Sequence, residues 1–184
     1  HEHEKGHFKI LLSYTSHLEL TGDTSGYARA RVRDLNRKED GVEYKTKESN
    51  DIDLLVRLHD LTFSRQGIAR SALAQKSLGG LCAAVLKAGA GKIYVTLRND
   101  EPAAISLFVY DKNRAYHLVL GSDDRFIEEG VGTKHFHDCC NLLREETNIR
   151  QMDLVGINNP QRARYKLSYG GTVVPYTRVT KVSA

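Results

Sequence analysis

Apolar and polar residues follow two different periods along this chain, and the change between them separates predicted strands from predicted helices. Continuous or alternating apolar runs are typical of strands, whereas apolar residues three and four positions apart indicate one face of a helix. Three consecutive runs separated by short polar turns predict an antiparallel meander. In chain order the predicted strands are residues 8–14, 42–46, 93–98, 103–110, 115–121, 152–155 and 172–179.

Five segments between these runs have helical character. A basic segment at 27–40 stops at Gly41, and segments 72–87 and 131–147 each carry an apolar stripe at helical spacing. A further helix is predicted to begin with Asn50 as its N-cap, because an Asn side chain can accept a hydrogen bond from the first turn. Its apolar stripe consists of Leu54, Leu55, Leu58, Leu61 and Thr62. Residues 122–129 are predicted to be a polar loop.

The last part of the chain, residues 152–179, packs several signals into a short length. Pro160 suits the first position of a helix that covers residues 161–168. The glycine pair at 170–171 ends that helix, since Gly accepts the left-handed conformation without strain. Pro175 interrupts the following β-branched run, which predicts an edge strand. The pattern alone predicts a closing strand–helix–strand unit.

Length and composition limit the protein class. A chain of 184 residues with 40% hydrophobic and 27% charged residues is typical of one globular domain. It contains no apolar run near the ~20 residues of a membrane span, and its start shows no signal-peptide pattern. Three cysteines, two of them adjacent, form no disulfide framework. A reducing, cytoplasmic setting is therefore expected.

The charge is mildly basic, +4 at neutral pH, and it is unevenly distributed. One basic cluster lies within residues 29–38 and a second at 162–166. Each cluster is either a solvated helix face or a surface for a phosphate-bearing ligand. The sequence leaves both interpretations open.

Four segments resemble a known family when they are taken together. They are YARARVRDLNRKEDGV at 27–42, LHDLTFSRQGI at 58–68, EPAAISL at 101–107 and YKLSYGGTVVPY at 165–176. In this order they resemble the Gcn5-related N-acetyltransferase (GNAT) superfamily. The closer likeness is to the C-terminal domain of FemAB-like proteins, which include the peptidoglycan-bridge aminoacyltransferases.

The resemblance implies the fold and the domain organisation. It implies an α/β (α+β) fold with a mixed, mostly antiparallel sheet flanked by helices, in which two parallel strands, 115–121 and 152–155, splay apart at a donor cleft. Residues 42–184 would form the GNAT-like domain. Residues 1–41 would be an N-terminal arm strand and basic helix, a link to or remnant of a further domain. We expect the arm strand, 8–14, to fill the place of the family's final strand.

The resemblance also implies a donor site. Acyl-CoA is the expected co-substrate, with aminoacyl-tRNA as the alternative that suits the FemAB-like likeness and the basic helix. The strand backbone at Leu118, Val119 and Leu120 would hold the acyl group, and Lys166 would contact donor or acceptor. The strand-to-helix turn would face the pyrophosphate through Gly130, Val131, Gly132 and Thr133.

The family pattern is not fully kept at this turn. Ile127 stands where the superfamily usually has Arg or Gln, and Glu128 and Glu129 would repel a phosphate. The alternative for Gly130 and Gly132 is a turn without ligand contacts.

The resemblance implies direct transfer without a covalent intermediate. Tyr165 would protonate the leaving group, although FemAB-like proteins have Phe there, and a core aromatic is the alternative. Asn158 would orient a substrate amide, with a plain turn residue as the alternative. His59, Arg65 and Tyr169 are the predicted substrate-binding residues, and His59 could instead be a solvated helix residue. No metal site is predicted, although His135, His137 and Cys139 lie close together.

Two functions follow from these features. The first is an N-acyltransferase that moves an acyl or aminoacyl group onto an amine of a small molecule, a sugar or a lipid-linked cell-envelope precursor, with tRNA as a further partner and a position peripheral to a membrane. The second is a catalytically inactive GNAT-like binding module in a larger assembly. The sequence does not give the oligomeric state.

Overall fold

A computed structural model describes residues 7–182 of the chain, so residues 1–6 of the predicted arm lie outside the described residues. The element types follow the predicted order, and the three-strand meander is confirmed. In chain order the elements are β1 His7–Glu19, α1 Arg29–Asn36, β2 Tyr44–Ser49, α2 Ile52–Ser64, α3 Ala72–Lys87, β3 Gly91–Arg98, β4 Glu101–Tyr110, β5 Arg114–Ser122, α4 Val131–Glu146, β6 Gln151–Asp153, α5 Pro160–Leu167 and β7 Thr172–Val182.

One mixed sheet organises the described residues, and its order is β2-β3-β4-β5-β6-β1-β7. Every pair of neighbours is antiparallel except β5 and β6, which are parallel. The α/β fold class and the mostly antiparallel sheet are therefore confirmed.

The arm strand lies inside the sheet. β1 pairs with β7 from His7 to His17 and with β6 from His17 to Glu19. The predicted strand, residues 8–14, was too short because the second half of β1 is polar and gave no apolar signal. That half forms a strand by pairing with segments at the far end of the chain. A strand from the first 41 residues thus completes the sheet of the remainder.

Helices cover both faces of the sheet and bury two apolar clusters. α2 and α3 pack on one face, where Leu55, Leu58 and Cys82 are fully buried against β3 and β4. On the other face α4 packs through Phe136 and Cys139. The predicted stripes of these helices therefore face the sheet, as their spacing requires.

Two local predictions were wrong. The N-cap of α2 is Asp51, whose side chain accepts a hydrogen bond from the Leu54 N–H at 2.8 Å, while β2 extends to Ser49 and leaves Asn50 outside the helix start. Residues 122–129 are not a plain loop. A short 3₁₀ helix, Asp124–Glu129, begins there because the Asp123 carboxylate caps the Arg125 N–H at 3.0 Å. None of the helices within residues 7–182 is long and apolar enough to cross a membrane.

Candidate active site

The two parallel strands separate after a short pairing. β5 and β6 pair at only three positions, from Arg114 with Gln151 to Tyr116 with Asp153. β5 then continues to Ser122, while the chain leaves β6 through Val155, a non-glycine residue at a φ of 49°. The predicted splayed strands are therefore present, and they open a cleft beside the second half of β5.

A register shift in β5 lies at this cleft. Leu107 pairs with Val119 and Phe108 pairs with His117, so Leu118 between them is an extra residue without a partner on β4. Leu118 is 41% exposed, whereas Val119 is buried. Of the three predicted acyl-binding residues, Leu118 is thus the one with an exposed side chain and no pairing partner on β4.

His59 contacts the same strand from α2. Its Nδ1 lies 3.0 Å from the carbonyl oxygen of Leu120, and burial lowers its pKa. α2 approaches β5 so closely that a Cβ added to Gly121 would lie 2.6 Å from the backbone N of His59. The structure therefore brings the predicted acceptor residue His59 to the predicted acyl-binding strand.

Arg65 lies farther along, at the C-terminal end of α2. Its guanidinium is ion-paired with Asp124 at the start of the 3₁₀ helix, and both side chains are well exposed. The structure joins Arg65 to the loop after β5 and not directly to His59.

Lys166 of α5 closes the end of β6. Its Nζ donates to the carbonyl of Leu154 at 2.6 Å and also to the carbonyl of Val155. Burial and the nearby Arg162 lower the pKa of Lys166 to about 8. A second contact fixes the same bend, where the Asp153 carboxylate accepts a hydrogen bond from the Val155 N–H at 2.7 Å.

Asn158 bonds to the neighbouring strand. Its Oδ1 accepts from the backbone N–H of Tyr14 at 2.7 Å, and its Nδ2 donates to the Tyr14 carbonyl at 3.0 Å. The side-chain amide thus continues the β1 pairing after β6 has ended. Both the oxygen and the nitrogen of the Asn158 amide are therefore hydrogen-bonded to β1. The predicted substrate contact would require one of these two hydrogen bonds to break.

The first turn of α4 is where the donor pyrophosphate was predicted. Gly130 has a φ of 79°, and Asp34 of α1 lies against it, since an added Cβ would be 2.8 Å from the Asp34 Cβ. Thr133 Oγ1 donates to Asp34 Oδ2 at 3.0 Å and accepts from Arg31 at 2.6 Å. A carboxylate of the chain itself therefore interacts with this helix start.

Tyr165 and Tyr169 line the other side of this helix start. The Tyr165 hydroxyl donates to the carbonyl of Gly132 at 3.3 Å and accepts from the Tyr169 hydroxyl at 2.7 Å. The Arg31 guanidinium lies 5.2 Å from the centre of the Tyr165 ring. Burial raises the pKa of both tyrosines, and Tyr169 is only 1% exposed within the core. Val131 is fully buried as well, so only its backbone groups could contact a ligand.

The acidic residues before α4 are partly neutralised. Glu129 pairs with Arg98 at 2.6 Å and accepts a hydrogen bond from the Tyr44 hydroxyl. Arg37 donates to the carbonyl of Glu128. The repulsion of phosphate expected from Glu129 is therefore weakened by its own partners.

Two of the three residues considered for metal binding, His135 and Cys139, have other contacts. His135 Nδ1 lies 2.7 Å from Thr96 Oγ1 and its Nε2 lies 2.9 Å from Ser106 Oγ, while Cys139 Sγ is 3.7 Å from the same ring. Within residues 7–182, no group of three or more His, Cys, Asp or Glu side chains is placed to hold a metal ion.

Sequence reasoning did not single out several residues of this site. Arg31 was one of five basic residues on a helix, and only its inward position distinguishes it. Asp34 and Asp153 are ordinary acidic residues in sequence, and His117 lies within an apolar strand. The one sequence signal for His117 was its alternation onto the buried face of β5.

The comparisons with known proteins agree with this geometry. A family model described as an acetyltransferase (GNAT) domain matches residues 23–167. The structure of FemX is similar with a TM-score of 0.68 at 11% identity, covering 87% of this chain and 59% of FemX. No curated protein sequence matches the chain.

Two further solved structures share the fold. The C-terminal domain of a provisionally named lysylphosphatidylglycerol synthetase from Agrobacterium fabrum has a TM-score of 0.62 at 11% identity, with 94% of this chain and 61% of that one covered. A predicted acetyltransferase from Clostridium acetobutylicum, solved with acetyl-CoA, has a TM-score of 0.52 at 18% identity, with 67% and 88% covered. This chain thus spans about three fifths of the length of the FemX chain and of the Agrobacterium C-terminal domain.

Proposed function

Because the chain belongs to the acetyltransferase (GNAT) domain family, we propose that it is an N-acyltransferase acting at the cleft between β5 and β6. The observation that carries the proposal is the early end of the β5–β6 pairing beside an unpaired residue, Leu118. Free backbone groups on a strand can hold a carbonyl and a pantetheine-like amide chain through strand-type hydrogen bonds. The donor we propose is acyl-CoA, with aminoacyl-tRNA as the alternative.

Direct transfer requires the acyl carbonyl, the attacking amine and the leaving group to be held together. Leu118 and Leu120 on β5 would orient the carbonyl. Tyr165 would protonate the departing thiolate of CoA or ribose alkoxide of tRNA, since its hydroxyl has a proton to give and burial keeps it protonated by raising its pKa. Tyr169 donates to the Tyr165 oxygen at 2.7 Å and so supports its orientation.

The donor's phosphate end would bind at the first turn of α4. The helix start supplies N–H groups and a positive dipole end. Arg31 beside it has a buried Nε without a hydrogen-bond partner, one of two such side-chain atoms in the described part of the chain. A buried donor left unpaired is costly, and an anion of the donor would satisfy it. Asp34 would have to move away from this turn when the donor binds.

We propose that the amine acceptor binds at α2. His59 lies at the acyl-binding strand, and Arg65 would bind an anionic group of an amine acceptor after releasing Asp124. A phosphorylated amino sugar or an amine-bearing lipid-linked precursor has both an amine and such an anion. We place the reaction in the cytoplasm, where acyl-CoA and charged tRNA are available, and at the membrane surface if the acceptor is lipid-linked.

A catalytically inactive binding module is the second candidate. The specific observation in its favour is Asp34, whose carboxylate bonds Thr133 in the place predicted for the donor phosphate. A chain that had lost donor binding could keep such a contact permanently.

Calorimetry with acetyl-CoA tests the proposal first, followed by a gel-shift assay with charged and uncharged tRNA. We expect saturable binding of one donor class, weakened in Arg31→Ala and unchanged in Arg33→Ala, which alters an exposed residue of the same helix. Binding of neither donor would overturn the acyltransferase proposal for this chain and favour the binding module.

A further inference from the structure

A chain of hydrogen bonds runs between α4 and the face of the sheet that this helix covers. Asp138 on α4 accepts from Thr46 Oγ1 of β2 at 2.7 Å. Thr46 Oγ1 is 2.7 Å from Thr96 Oγ1 of β3, which in turn is 2.7 Å from His135 Nδ1. Asp138 is partly exposed, whereas Thr96 and His135 are fully buried. A polar path therefore leads inward from a carboxylate that solvent can reach.

The path continues to the cleft. His135 Nε2 is 2.9 Å from Ser106 Oγ of β4, and the same oxygen is 3.0 Å from Nε2 of His117 on β5. Ser106 is fully buried and His117 is 6% exposed. Five successive hydrogen bonds thus connect Asp138 with His117 across strands β2 to β5.

The carboxylate fixes the direction of every bond in this chain. Since Asp138 accepts the Thr46 proton, Thr46 must accept from Thr96. Thr96 then accepts from His135, so the His135 proton is on Nδ1 and its Nε2 is an acceptor.

The same reasoning reaches His117. Ser106 must donate to His135 Nε2, and it must therefore accept from Nε2 of His117. A neutral imidazole carries one N–H, so Nδ1 of His117 holds a lone pair.

His117 lies at the mouth of the path. It directly follows Tyr116, the last residue of β5 that pairs with β6. Among the described residues, only Ser106 forms a hydrogen bond with its ring. Nδ1 of His117 is not among the fully enclosed side-chain atoms without a partner in residues 7–182, which are Ser16 Oγ and Arg31 Nε. Its ring stacks on Phe108, with the ring centroids 4.8 Å apart.

We propose that these six residues form a proton relay, in which Nδ1 of His117 takes the proton that the acceptor amine loses and the chain delivers one to Asp138. The inference rests on the proposed acyltransferase function. It assigns His117 as a catalytic base and Asp138 as the terminal proton acceptor, roles that the cleft residues described above do not fill.

The transfer balances at every step. As the amine nitrogen bonds to the acyl carbon, its N–H proton passes to Nδ1 of His117. Nε2 of His117 releases its proton to Ser106, and each following group accepts one proton and passes on its own until Thr46 protonates the Asp138 carboxylate. One proton thus leaves the amine, and the chain holds one on Asp138. When the products have left, the shift runs in reverse: Asp138 returns its proton to Thr46, and Nδ1 of His117 releases one to solvent in the open cleft, which restores the start.

Neutral imidazoles suit such a relay. Burial lowers the pKa of His135 to about 3 and the pKa of His117 well below its usual value, so neither ring holds an extra proton. The ionisable groups that face His117 are His135 from α4 and Lys166 from α5, and both disfavour its charged form. Burial raises the pKa of the Asp138 carboxyl, which makes the end of the chain the better proton acceptor.

The histidine tautomers test the relay without any substrate. Nitrogen-15 NMR of the imidazole rings should show the Nε2–H tautomer for His117 and the Nδ1–H tautomer for His135. Asp138→Asn removes the acceptor and can donate to Thr46, so we expect both tautomers to shift toward the opposite form. A His117 ring with its proton on Nδ1 in the wild-type protein, or tautomers that Asp138→Asn leaves unchanged, would overturn the proposal.

Two variants of Thr96 test the relay in turnover. Thr96→Val keeps the side-chain volume and removes the hydroxyl, so kcat should fall by about a hundredfold, within the range for acid–base catalysis, with KM unchanged. Thr96→Ser keeps the hydroxyl and leaves a small cavity, so it should be less stable than wild type and yet retain kcat. If Thr96 had only a structural role, Thr96→Ser would lose more activity than Thr96→Val. That result would overturn the relay.

The tautomer result and donor binding separate the two proposals. If acetyl-CoA and charged tRNA do not bind but the tautomers respond to Asp138→Asn as expected, the acyltransferase function fails while the hydrogen-bond direction stands. If a donor binds and is turned over but the tautomers do not respond, the relay fails alone.

Discussion

The Nζ atom of Lys166 lies 2.6 Å from the carbonyl oxygen of Leu154, at the point where β6 ends and the cleft begins. An ammonium group here satisfies carbonyl oxygens that the parting strand β5 no longer pairs. The same burial that creates these bonds lowers the pKa of Lys166 to about 8, so the contact has a measurable dependence on pH.

We expect the stability difference between wild type and Lys166→Met to increase in favour of wild type as the pH rises from about 8 to about 10.5. The folded-state pKa is lowered, so in this window the unfolded chain binds more protons than the folded chain, and stability rises with pH. The slope is at most about 1.4 kcal/mol per pH unit for one group. Urea titrations of both proteins at several pH values measure it, and a difference that stays constant or falls contradicts the assignment.

Gly121→Ala should destabilise the protein by about 1–3 kcal/mol, the range for overpacking. The added Cβ would lie 2.6 Å from backbone atoms of Leu58 and His59, so α2 must move away from β5. Gly80→Ala is the matched control on α3, where an added Cβ meets nothing within 4 Å. That change should stabilise by roughly 0.5–1 kcal/mol, because Ala favours helix. Equal effects of the two substitutions in chemical denaturation would count against the close packing.

Asn158→Ala should lower the free energy of unfolding by about 1 kcal/mol, the usual net contribution of such hydrogen bonds. It removes both bonds to the Tyr14 backbone and frees that part of β1. Thermal unfolding and turnover measured side by side distinguish this role from the predicted catalytic one. Unchanged stability with lost turnover would favour catalysis.

Asp34→Asn should tighten acetyl-CoA binding by about fivefold, equivalent to roughly 1 kcal/mol for one charge near a helix start. The substitution removes the negative charge that now accepts a hydrogen bond from Thr133. Asp40→Asn, in the exposed segment after α1, is the control and should leave the affinity unchanged. The gain in affinity should shrink at high salt. Calorimetry at two salt concentrations measures it, and a gain that is equal at both would contradict an electrostatic origin.

Periodicity was sufficient for elements whose partners are near in sequence. The bounds of α3 were predicted to the residue, because its apolar stripe stops before the glycines at 89 and 91. β1 was predicted too short, since residues 15–19 are mostly polar and pair with strands more than 130 positions away. Pairing of that kind leaves no local pattern.

The candidate site also has a part that could be predicted and a part that could not. The splayed strands and the start of α4 could be located from the family resemblance. The partners of Asn158 and Asp34 could not, because Tyr14 and Thr133 lie about a hundred or more positions away. The hydrogen-bonded path to His117 uses four strands and one helix, and each member taken singly is an ordinary Asp, Ser, Thr or His.

The place of β1 in the sheet has a consequence for how the protein is made. Among the strands of residues 7–182, β1 leaves the ribosome first and pairs with β6 and β7, which leave it last. During synthesis β1 must therefore remain without its partners while β2 to β5 can already pair with one another. Contacts of such long sequence separation form slowly, and an unpaired strand is prone to association with other chains. Sheet completion, and with it the second wall of the cleft, therefore waits until β6 and β7 have been synthesised.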